Sequence, residues 1–130
     1  MLKEMSTTRC PCLSGVPYDV CCGRLHSGAA TAQTAEQLMR SRFSAFALGE
    51  ADYLLATWHA STRPSSLDLD DDLRWYRLDI IATREGGPFD TTGVVEFEAF
   101  YRSPAGAGSQ HEVSRFVRED GLWFYLDGTR

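Results

Sequence analysis

The residues best suited to chemistry lie together near the amino terminus of the chain. All four cysteines are there, in the pattern C-x-C, eight residues, C-C, at Cys10, Cys12, Cys21 and Cys22. Four thiolates within so short a stretch suit one tetrahedral zinc ion. Because sulfur would fill every coordination position, none would remain for water or substrate. The pattern therefore predicts a structural zinc site rather than a catalytic one.

Other interpretations of the cysteines remain open. A disulfide framework is disfavoured because adjacent cysteines rarely pair with each other and nothing at the amino terminus indicates export. A redox dithiol of the thioredoxin kind would have C-x-x-C spacing, not C-x-C. His26 follows Cys22 by four residues and could take the fourth coordination position in place of a cysteine.

Small residues lie between and beside the cysteines and would let the chain turn tightly. Gly15 and Gly23 can adopt positive φ, which would allow backbone N–H groups to turn toward the sulfur atoms. The hydroxyl of Ser14 could donate a hydrogen bond to a thiolate, or Ser14 could be a plain turn residue.

This stretch resembles the SEC-C motif, the short zinc knuckle at the carboxyl end of the SecA translocation motor. The resemblance rests on Cys10-Pro-Cys-x-Ser-Gly, on Tyr18 and on Cys21-Cys22-Gly23. It implies that the four cysteines together bind one zinc ion. Leu13 stands where the family usually has glycine. Residues of other types replace the lysines that accompany partner and acidic-lipid contacts in the family, namely Val16, Asp19 and Val20.

Length and composition limit what the rest of the chain can be. In 130 residues, a zinc knuckle with short flanks (residues 1–28, the knuckle) and one compact domain (residues 29–130, the domain) are the natural division. A net charge of −5 argues against nucleic acid as a general partner. Residues 1–9 lack the apolar run of a signal peptide, and no stretch approaches the ~20 apolar residues of a membrane span. We therefore expect a cytoplasmic protein.

The first half of the domain has a helical pattern. Thr34 and Gln37 are spaced as a capping box, the apolar residues that follow recur at helical spacing, and Gly49 suits a helix end. This predicts an amphipathic helix over residues 35–48, with Arg42 on its apolar face in need of a carboxylate or carbonyl partner. A second helix is predicted over residues 50–59, with His59 at its carboxyl end, and a short helical turn over residues 66–72.

The second half alternates with a period of two. Strands are predicted over residues 74–83, 92–102, 111–118 and 122–127, joined by turns and a glycine-rich loop at 104–109. In the first strand Tyr76, Leu78, Ile80 and Ala82 would share the inward face. Three helices and four antiparallel strands predict an α+β fold in which the helices pack on one side of a curved sheet.

The chain also resembles the YchJ family. The matching segments are LMRSRFSAF at 38–46, ADYL at 51–54, TWH at 57–59, SRF at 114–116 and WFYLDGT at 123–129. That family resembles the nuclear-transport-factor-2-like superfamily, whose domains are cones of a curved sheet wrapped by helices, and no reaction is carried over with it. Its members often have a second SEC-C motif after this last segment, where the present sequence ends, so no function that needs two knuckles is expected.

The cone implied by this resemblance encloses a pocket between the first long helix and the sheet. The pocket would collect aromatic and charged side chains: Arg42, Trp58, His59, Tyr76, Glu112, Trp123, Tyr125 and Asp127. His59 with Asp127 or Glu112 could form a general acid–base pair. An aromatic lining is more often packed core, however, and the chain has no nucleophile motif, phosphate loop or dinucleotide fingerprint.

Two functions follow as hypotheses. In the first, the protein is a non-enzymatic zinc-binding module whose knuckle presents a small surface to a protein partner or to its own domain, through Leu13, Val16, Pro17, Tyr18 and Val20. In the second, it is a small-molecule pocket protein or acid–base enzyme that uses Arg42, His59 and Asp127. Glu96 and Glu98 on the outer sheet face would oppose apolar packing between copies, which favours a monomer.

Overall fold

The computed structural model describes residues 9–129, which form the knuckle, two further helices and one sheet. The helices are α1 (Cys22–His26), α2 (Ala35–Leu48) and α3 (Ala51–Ala56), and the strands are β1 (Arg74–Glu85), β2 (Thr92–Ser103), β3 (Gly106–Glu119) and β4 (Leu122–Thr129). Residues 1–8, to which most of the argument against an export signal applies, lie outside the described residues. No helix within residues 9–129 is long and apolar enough to cross a lipid bilayer.

Helix α2 has the bounds that its capping residues predict. The Oγ1 atom of Thr34 accepts the backbone N–H of Gln37 at 3.1 Å, and Gly49 ends the helix with a φ of 78°. The Gln37 side chain accepts the N–H of Gln33 at 2.6 Å, one residue earlier than in the usual capping box. These capping interactions provide hydrogen-bond partners for backbone groups at the helix ends that have none inside the helix, and they therefore define where the helix begins and ends.

The four strands form an antiparallel sheet in the order β1-β2-β3-β4, and the helices cover one face. Strand β2 alternates as predicted: Val95, Phe97 and Ala99 are buried, whereas Glu96 and Glu98 bind side chains on the outer face. The main core joins this inner face to the apolar side of α2 and includes Leu38, Met39, Phe43, Phe116 and Trp123. The predicted α+β fold, with helices on one side of a curved sheet, is confirmed.

The second helix is shorter than predicted. Helix α3 ends at Ala56, and the next residues pair with β4 instead of extending the helix to residue 59. The N–H of Tyr125 donates to the carbonyl of Thr57 and the N–H of His59 donates to the carbonyl of Tyr125, both at 2.8 Å. Sheet pairing therefore occupies the N–H of His59 and the carbonyl of Thr57, a donor and an acceptor that a longer helix would need.

The predicted helical turn over residues 66–72 is absent, and that segment is irregular except for a turn at residues 71–72. The carboxylate of Asp70 accepts the N–H of Asp72 at 2.9 Å, a local bond that competes with helix formation. The third helix of the protein is α1, within the knuckle.

A β-bulge changes which residues of β1 face inward. The pairing with β2 shifts between Trp75 and Arg77, so Tyr76, predicted to face the core, is 40% exposed. Trp75 takes the inward position and meets the ring of Phe43 in an edge contact at 6.4 Å. One extra residue in a strand exchanges its two faces, and the spacing of apolar residues does not show where the extra residue falls.

The glycine-rich segment 104–109 is mostly strand rather than loop. Strand β2 runs to Ser103 and β3 begins at Gly106, which has a φ of 127°, so the connection is a tight hairpin. Gly108 allows β3 to continue close to β2, because a Cβ there would lie 2.6 Å from the hydroxyl of Tyr101.

Candidate metal centre and interior cavity

The four cysteines converge at one place between the knuckle and α2. Their Sγ atoms all lie within 4.8 Å of one another, with 3.6 Å between Cys12 and Cys21 and 4.0 Å between Cys21 and Cys22. A tetrahedron with zinc–sulfur bonds of ~2.3 Å has edges of about 3.8 Å, so these separations suit four thiolates around one cation. All four cysteines are free of disulfides. The structure therefore brings together all four residues that the spacing predicted, as a possible metal site.

Two left-handed residues bend the loop between the second and third cysteines. Gly15 has a φ of 93°, as predicted, and Leu13 has a φ of 65°. The loop is closed by backbone bonds from the N–H of Cys10 to the carbonyl of Val16 at 3.2 Å and from the N–H of Leu13 to the carbonyl of Cys10 at 3.1 Å. Leu13 thus occupies a position that favours glycine, at a cost of about 1–2 kcal/mol.

Gly23 has a different role from the one predicted. It lies in α1 and is not among the residues with positive φ. A Cβ at Gly23 would lie 2.7 Å from the backbone oxygen of Tyr18 and 2.9 Å from its ring. Glycine is needed there for close approach, and this contact seats Tyr18 against the cysteine cluster.

Two hydroxyl groups face the sulfur atoms. The Oγ of Ser14 lies 3.1 Å from the Sγ of Cys21, and the Oγ of Ser44 on α2 lies 3.5 Å from the Sγ of Cys10. Each hydroxyl donates when the sulfur is a thiolate, and such outer contacts orient metal ligands. Ser14 also accepts the N–H of Val16 at 3.4 Å, so it has both of the roles considered from the sequence. The spacing of residues gave no sign of Ser44.

Without a cation, the thiols of Cys10, Cys12 and Cys22 oppose one another's ionisation. Hydrogen bonds from the thiols of Cys12 and Cys22 lower the pKa of Cys10. Donation to Cys10 raises the pKa of Cys12 to about 11 and raises the pKa of Cys22 far above its usual range. Each thiolate opposes the next because their charges repel at this distance. A bound divalent cation would reverse that repulsion and favour four thiolates together.

The knuckle packs on α2 through polar contacts. The Nη1 of Arg40 donates to the carbonyl of Cys12 at 2.9 Å, and the Nε2 of His26 donates to the carbonyl of Ser41 at 2.8 Å. Glu36 holds the guanidinium of Arg40 in a 3.0 Å ion pair on the same helix. One face of α2 therefore positions the cysteine loop while the other faces the sheet.

His26 lies outside the cysteine cluster, and this arrangement does not use the alternative in which it replaces a cysteine. Its Nε2 must donate to Ser41, because a carbonyl only accepts, and its Nδ1 bonds the hydroxyl of Tyr18 at 2.7 Å. Burial raises the pKa of Tyr18 to about 12, so the phenol stays protonated. The imidazole also packs on Tyr53, with ring centroids 4.6 Å apart. His26 links the knuckle to α2 and α3.

The surface predicted to face a partner is only partly exposed. Leu13, Val16 and Val20 are 54%, 42% and 61% exposed. Pro17 and Tyr18 are half-buried, and the ring and hydroxyl of Tyr18 are used within the knuckle. The available apolar surface therefore consists of three side chains rather than five.

A cavity of about 230 Å³ lies between α2 and the concave face of the sheet. Four of the eight predicted pocket residues line it, namely Arg42, Trp58, Glu112 and Tyr125. The remaining wall is largely apolar and was not predicted, and it comprises Met39, Phe43, Phe46, Trp75, Phe97, Ala99, Gln110 and Ser114. Trp75 could have been found only by locating the bulge that exchanges it with Tyr76.

His59 lies outside the cavity. Its Nδ1 bonds the hydroxyl of Ser61 at 2.7 Å, and its Nε2 bonds the carboxylate of Glu119 at 2.9 Å. The pairing of residues 57–59 with β4 turns Trp58 inward and His59 outward, since adjacent residues of an extended chain point to opposite faces. His59 therefore forms no pair with Asp127 or Glu112, and the predicted acid–base pair is not assembled.

Tyr76, Trp123 and Asp127 also lie outside the cavity. The bulge in β1 places Tyr76 on the outer face, where Arg102 covers its ring at 4.5 Å. Trp123 is buried on the other side of the core and donates its Nε1–H to the carbonyl of Gln33 at 3.2 Å. Asp127 accepts two hydrogen bonds from Arg115, which lower its pKa.

Arg42 is buried and lies against the cavity. Its side chain is 3% exposed, and its Nη1 donates to the carbonyl of Leu54 at 2.7 Å and to the hydroxyl of Thr57 at 2.8 Å. The guanidinium lies over the rings of Tyr125 and Trp58, at 4.6 and 5.3 Å. Burial lowers its pKa to about 10, so it remains cationic at neutral pH. No carboxylate among residues 9–129 forms an ion pair with it.

Glu112 supplies the negative charge of the cavity. Its Oε2 accepts the hydroxyl protons of Ser114 at 2.7 Å and Tyr125 at 3.1 Å. Burial, and then the charge of Glu112, raise the pKa of Tyr125 above its usual range. Gly128 leaves room for this carboxylate, because a Cβ there would overlap Oε2 of Glu112.

The fold and the cysteine cluster together define an α+β protein that carries a cysteine knuckle on the outer side of its long helix. Residues 34–128 match the family described as "YchJ, middle NTF2-like domain", and residues 7–24 match the SEC-C motif. The chain belongs to the YchJ family, as the sequence resemblance predicted.

Relatives and solved structures agree over nearly the whole chain. A UPF0225 protein from Streptomyces coelicolor is 55% identical over 124 residues, covering 95% of this chain and 97% of its own. One from Corynebacterium efficiens is 57% identical over 120 residues, covering 92% of each. A solution structure of a SEC-C motif containing protein from Rhodopseudomonas palustris has a TM-score of 0.82 at 33% identity and covers 94% of this chain and 98% of its own. A Psychrobacter arcticus counterpart has a TM-score of 0.78 at 29% identity, with 95% and 83% covered.

Proposed function

We propose that the protein binds one zinc ion through Cys10, Cys12, Cys21 and Cys22, and that this ion has a structural, non-enzymatic role. The proposal rests mainly on the convergence of four sulfur atoms within 4.8 Å of one another. Thiolate ligands in a compact tetrahedral arrangement favour zinc over the hard cations magnesium and calcium.

The packing of the knuckle supports a structural role. Its small separate core consists of Cys10, Cys12 and Cys22, with Tyr18 and Cys21 packed against it. Burial of so few apolar groups cannot by itself stabilise a loop of this length. The binding energy of a metal would supply the missing stability. The cysteines are free, which suits a reducing compartment and supports our proposal that the protein is cytoplasmic.

Native mass spectrometry of the protein purified without added metal tests this proposal. We expect one zinc ion per chain, with a mass raised by that of zinc less two protons, because the two charges of the ion replace two protons. Cys21→Ser should abolish stoichiometric zinc. Ser14→Ala is the matched control, because it removes a hydroxyl from the same sulfur without removing a ligand, and should retain the metal. A metal-free mass lowered by two or four hydrogens would mean disulfides and would contradict the zinc site.

A second candidate function is protein binding through the exposed apolar side chains of Leu13, Val16 and Val20. Their exposure of 54%, 42% and 61% on a rigid loop supports it. A photo-cross-linking amino acid at Val16 should capture one defined protein in cells, whereas the same group at Ile81, an exposed apolar residue of the sheet, should not. Capture of the same proteins from both positions would contradict a specific partner at the knuckle.

A further inference from the structure

Two of the residues that line the cavity beside α2 have hydrogen-bond donors without partners, and the cavity wall is largely apolar. The Nε1–H of Trp58 is buried and has no acceptor among residues 9–129. In the same part of the chain, Arg42 uses only Nη1 in hydrogen bonds, which leaves the donors on Nε and Nη2. We propose that the cavity binds a small organic acid, with its carboxylate held by Arg42 and Trp58 and its apolar body against the aromatic wall.

The electrostatics of Arg42 point to a carboxylate. The guanidinium is buried and cationic, with a carbonyl and a hydroxyl as its hydrogen-bond acceptors. Charges buried in proteins are normally paired, and the planar guanidinium matches a carboxylate with two parallel hydrogen bonds. The bonds to Leu54 and Thr57 fix the guanidinium plane before a ligand arrives, so little side-chain freedom would be lost on binding.

Trp58 provides an independent indication. Most buried polar groups in folded proteins have a hydrogen-bond partner, so an unpaired indole N–H calls for an explanation. Its neighbours across the cavity wall are mainly apolar, and the guanidinium of Arg42 lies over its ring. A ligand oxygen held between Arg42 and Trp58 would give this N–H the acceptor that it lacks.

The size and lining of the cavity limit the ligand. At about 230 Å³ it is smaller than the sites of roughly 300–1,000 Å³ that hold drug-sized molecules, which excludes nucleotides and dinucleotides. Phe43, Phe46, Trp75 and Phe97 give it an aromatic wall that suits a compact aromatic or branched aliphatic group. The charge of Glu112 on the same wall disfavours a second carboxylate, so the ligand class is monocarboxylic acids.

This inference is about binding and is independent of the zinc proposal. The residues that carry it belong to α2, to the segment after α3 and to the sheet, and none of them contacts the cysteines. The acid–base pairs considered from the sequence are not in the cavity, because His59 and Asp127 lie outside it.

The indole resonances of the zinc-loaded, ¹⁵N-labelled protein provide the test, with phenylacetate as the probe. Phenylacetate should shift the Trp58 indole N–H strongly as it gains an acceptor. The Trp123 indole, already bonded to Gln33, should stay in place and is the internal control. Neutral phenylacetamide has nearly the same shape and should bind about tenfold more weakly or worse, because it cannot pair with Arg42. An unmoved Trp58 resonance at saturating phenylacetate, or equal affinity for the amide, would overturn the proposal.

Two variants sharpen the test. Arg42→Gln should weaken phenylacetate binding about tenfold or more, whereas Arg40→Gln, the same change on the same helix but outside the cavity, should leave it unchanged. Because Arg42 also hydrogen-bonds the carbonyl of Leu54 in α3, the Arg42→Gln substitution could prevent folding.

Trp58→Phe is the second variant. It keeps an aromatic ring, removes only the unpaired donor and some ring area, and should weaken binding about fivefold. A folded Arg42→Gln or Trp58→Phe variant with wild-type affinity would contradict the assigned ligand position.

Discussion

At the scale of single residues, Leu13 is the clearest point of stored strain. Its φ of 65° is left-handed although it is a branched residue, and its side chain is 54% exposed, so little packing compensates. We predict that Leu13→Gly increases the free energy of unfolding by about 0.5–1 kcal/mol, since relief of the strain exceeds the added freedom of the unfolded chain. Urea unfolding of the zinc-loaded protein measures this.

Val20→Gly is the matched control for that prediction. Val20 is similarly exposed and lies in a helical turn, and its φ is not positive. Glycine there gains no relief of strain and should cost about 0.5–1 kcal/mol. Equal losses of stability in the two variants would show that the backbone of Leu13 is not strained.

Residue types predicted the metal site better than the cavity. The four cysteines are brought together within a short loop, so their spacing in the sequence was nearly sufficient to predict their clustering. The cavity residues come from five separate elements and from the segment after α3, and whether several of them face inward depends on a bulge or an edge pairing. His59 and Asp127 missed the cavity for this reason, although the neighbouring Trp58 lies in it.

At the scale of elements, the start of α2 packs closely against the β1–β2 hairpin. The N–H of Ala35 donates to the carbonyl of Gly86 at 2.9 Å. A Cβ at Gly93 would lie 2.6 Å from the Cα of Gly86 and 3.0 Å from the Cβ of Ala35. We predict that Gly93→Ala lowers the free energy of unfolding by about 1–3 kcal/mol, because the added methyl separates the helix start from the hairpin. Thermal or urea unfolding measures the loss.

Gly87→Ala tests whether that loss is specific. Gly87 is in the same turn, but a Cβ there would meet only the side chain of Asp90, at 3.3 Å, and its φ is ordinary. We expect a change within about 0.5 kcal/mol. A comparable loss from both substitutions would mean that the turn, not the contact with α2, determines the effect.

Local signals predicted the elements, and tertiary pairing changed their ends. The cap at Thr34 and the glycine after α2 gave the exact bounds of that helix, because both act within a few residues. Helix α3 stops at Ala56 only because β4 offers backbone partners to residues 57–59, and β4 lies more than sixty residues away in the sequence. No pattern within the helix itself shows that competition.

At the scale of the whole molecule, the cysteines form a small core of their own, although Leu25 of the knuckle packs in the main core. The cysteine core lies apart from the large core of α2 and the sheet, and Arg40, His26 and Ser44 bridge the two. Such an arrangement lets one part loosen while the other stays folded. The metal would therefore stabilise mainly the knuckle, while burial of apolar side chains stabilises the domain.

Removal of the metal should separate these two contributions. We predict that chelation increases amide hydrogen exchange in residues 10–26 by a large factor, while β2 and β3, in the middle of the sheet, keep their protection. Without a cation, no ion holds the four sulfur atoms together, so the cysteine loop loosens. The hydrogen bonds of His26 to Tyr18 and Ser41 then weaken, because the loop no longer positions these groups. Hydrogen-exchange mass spectrometry of the zinc-loaded, chelated and Cys22→Ser proteins measures the change. If exchange in β2 and β3 rose as much as in the knuckle, the metal would have to support the entire fold, and the large core between α2 and the sheet would not be stable on its own.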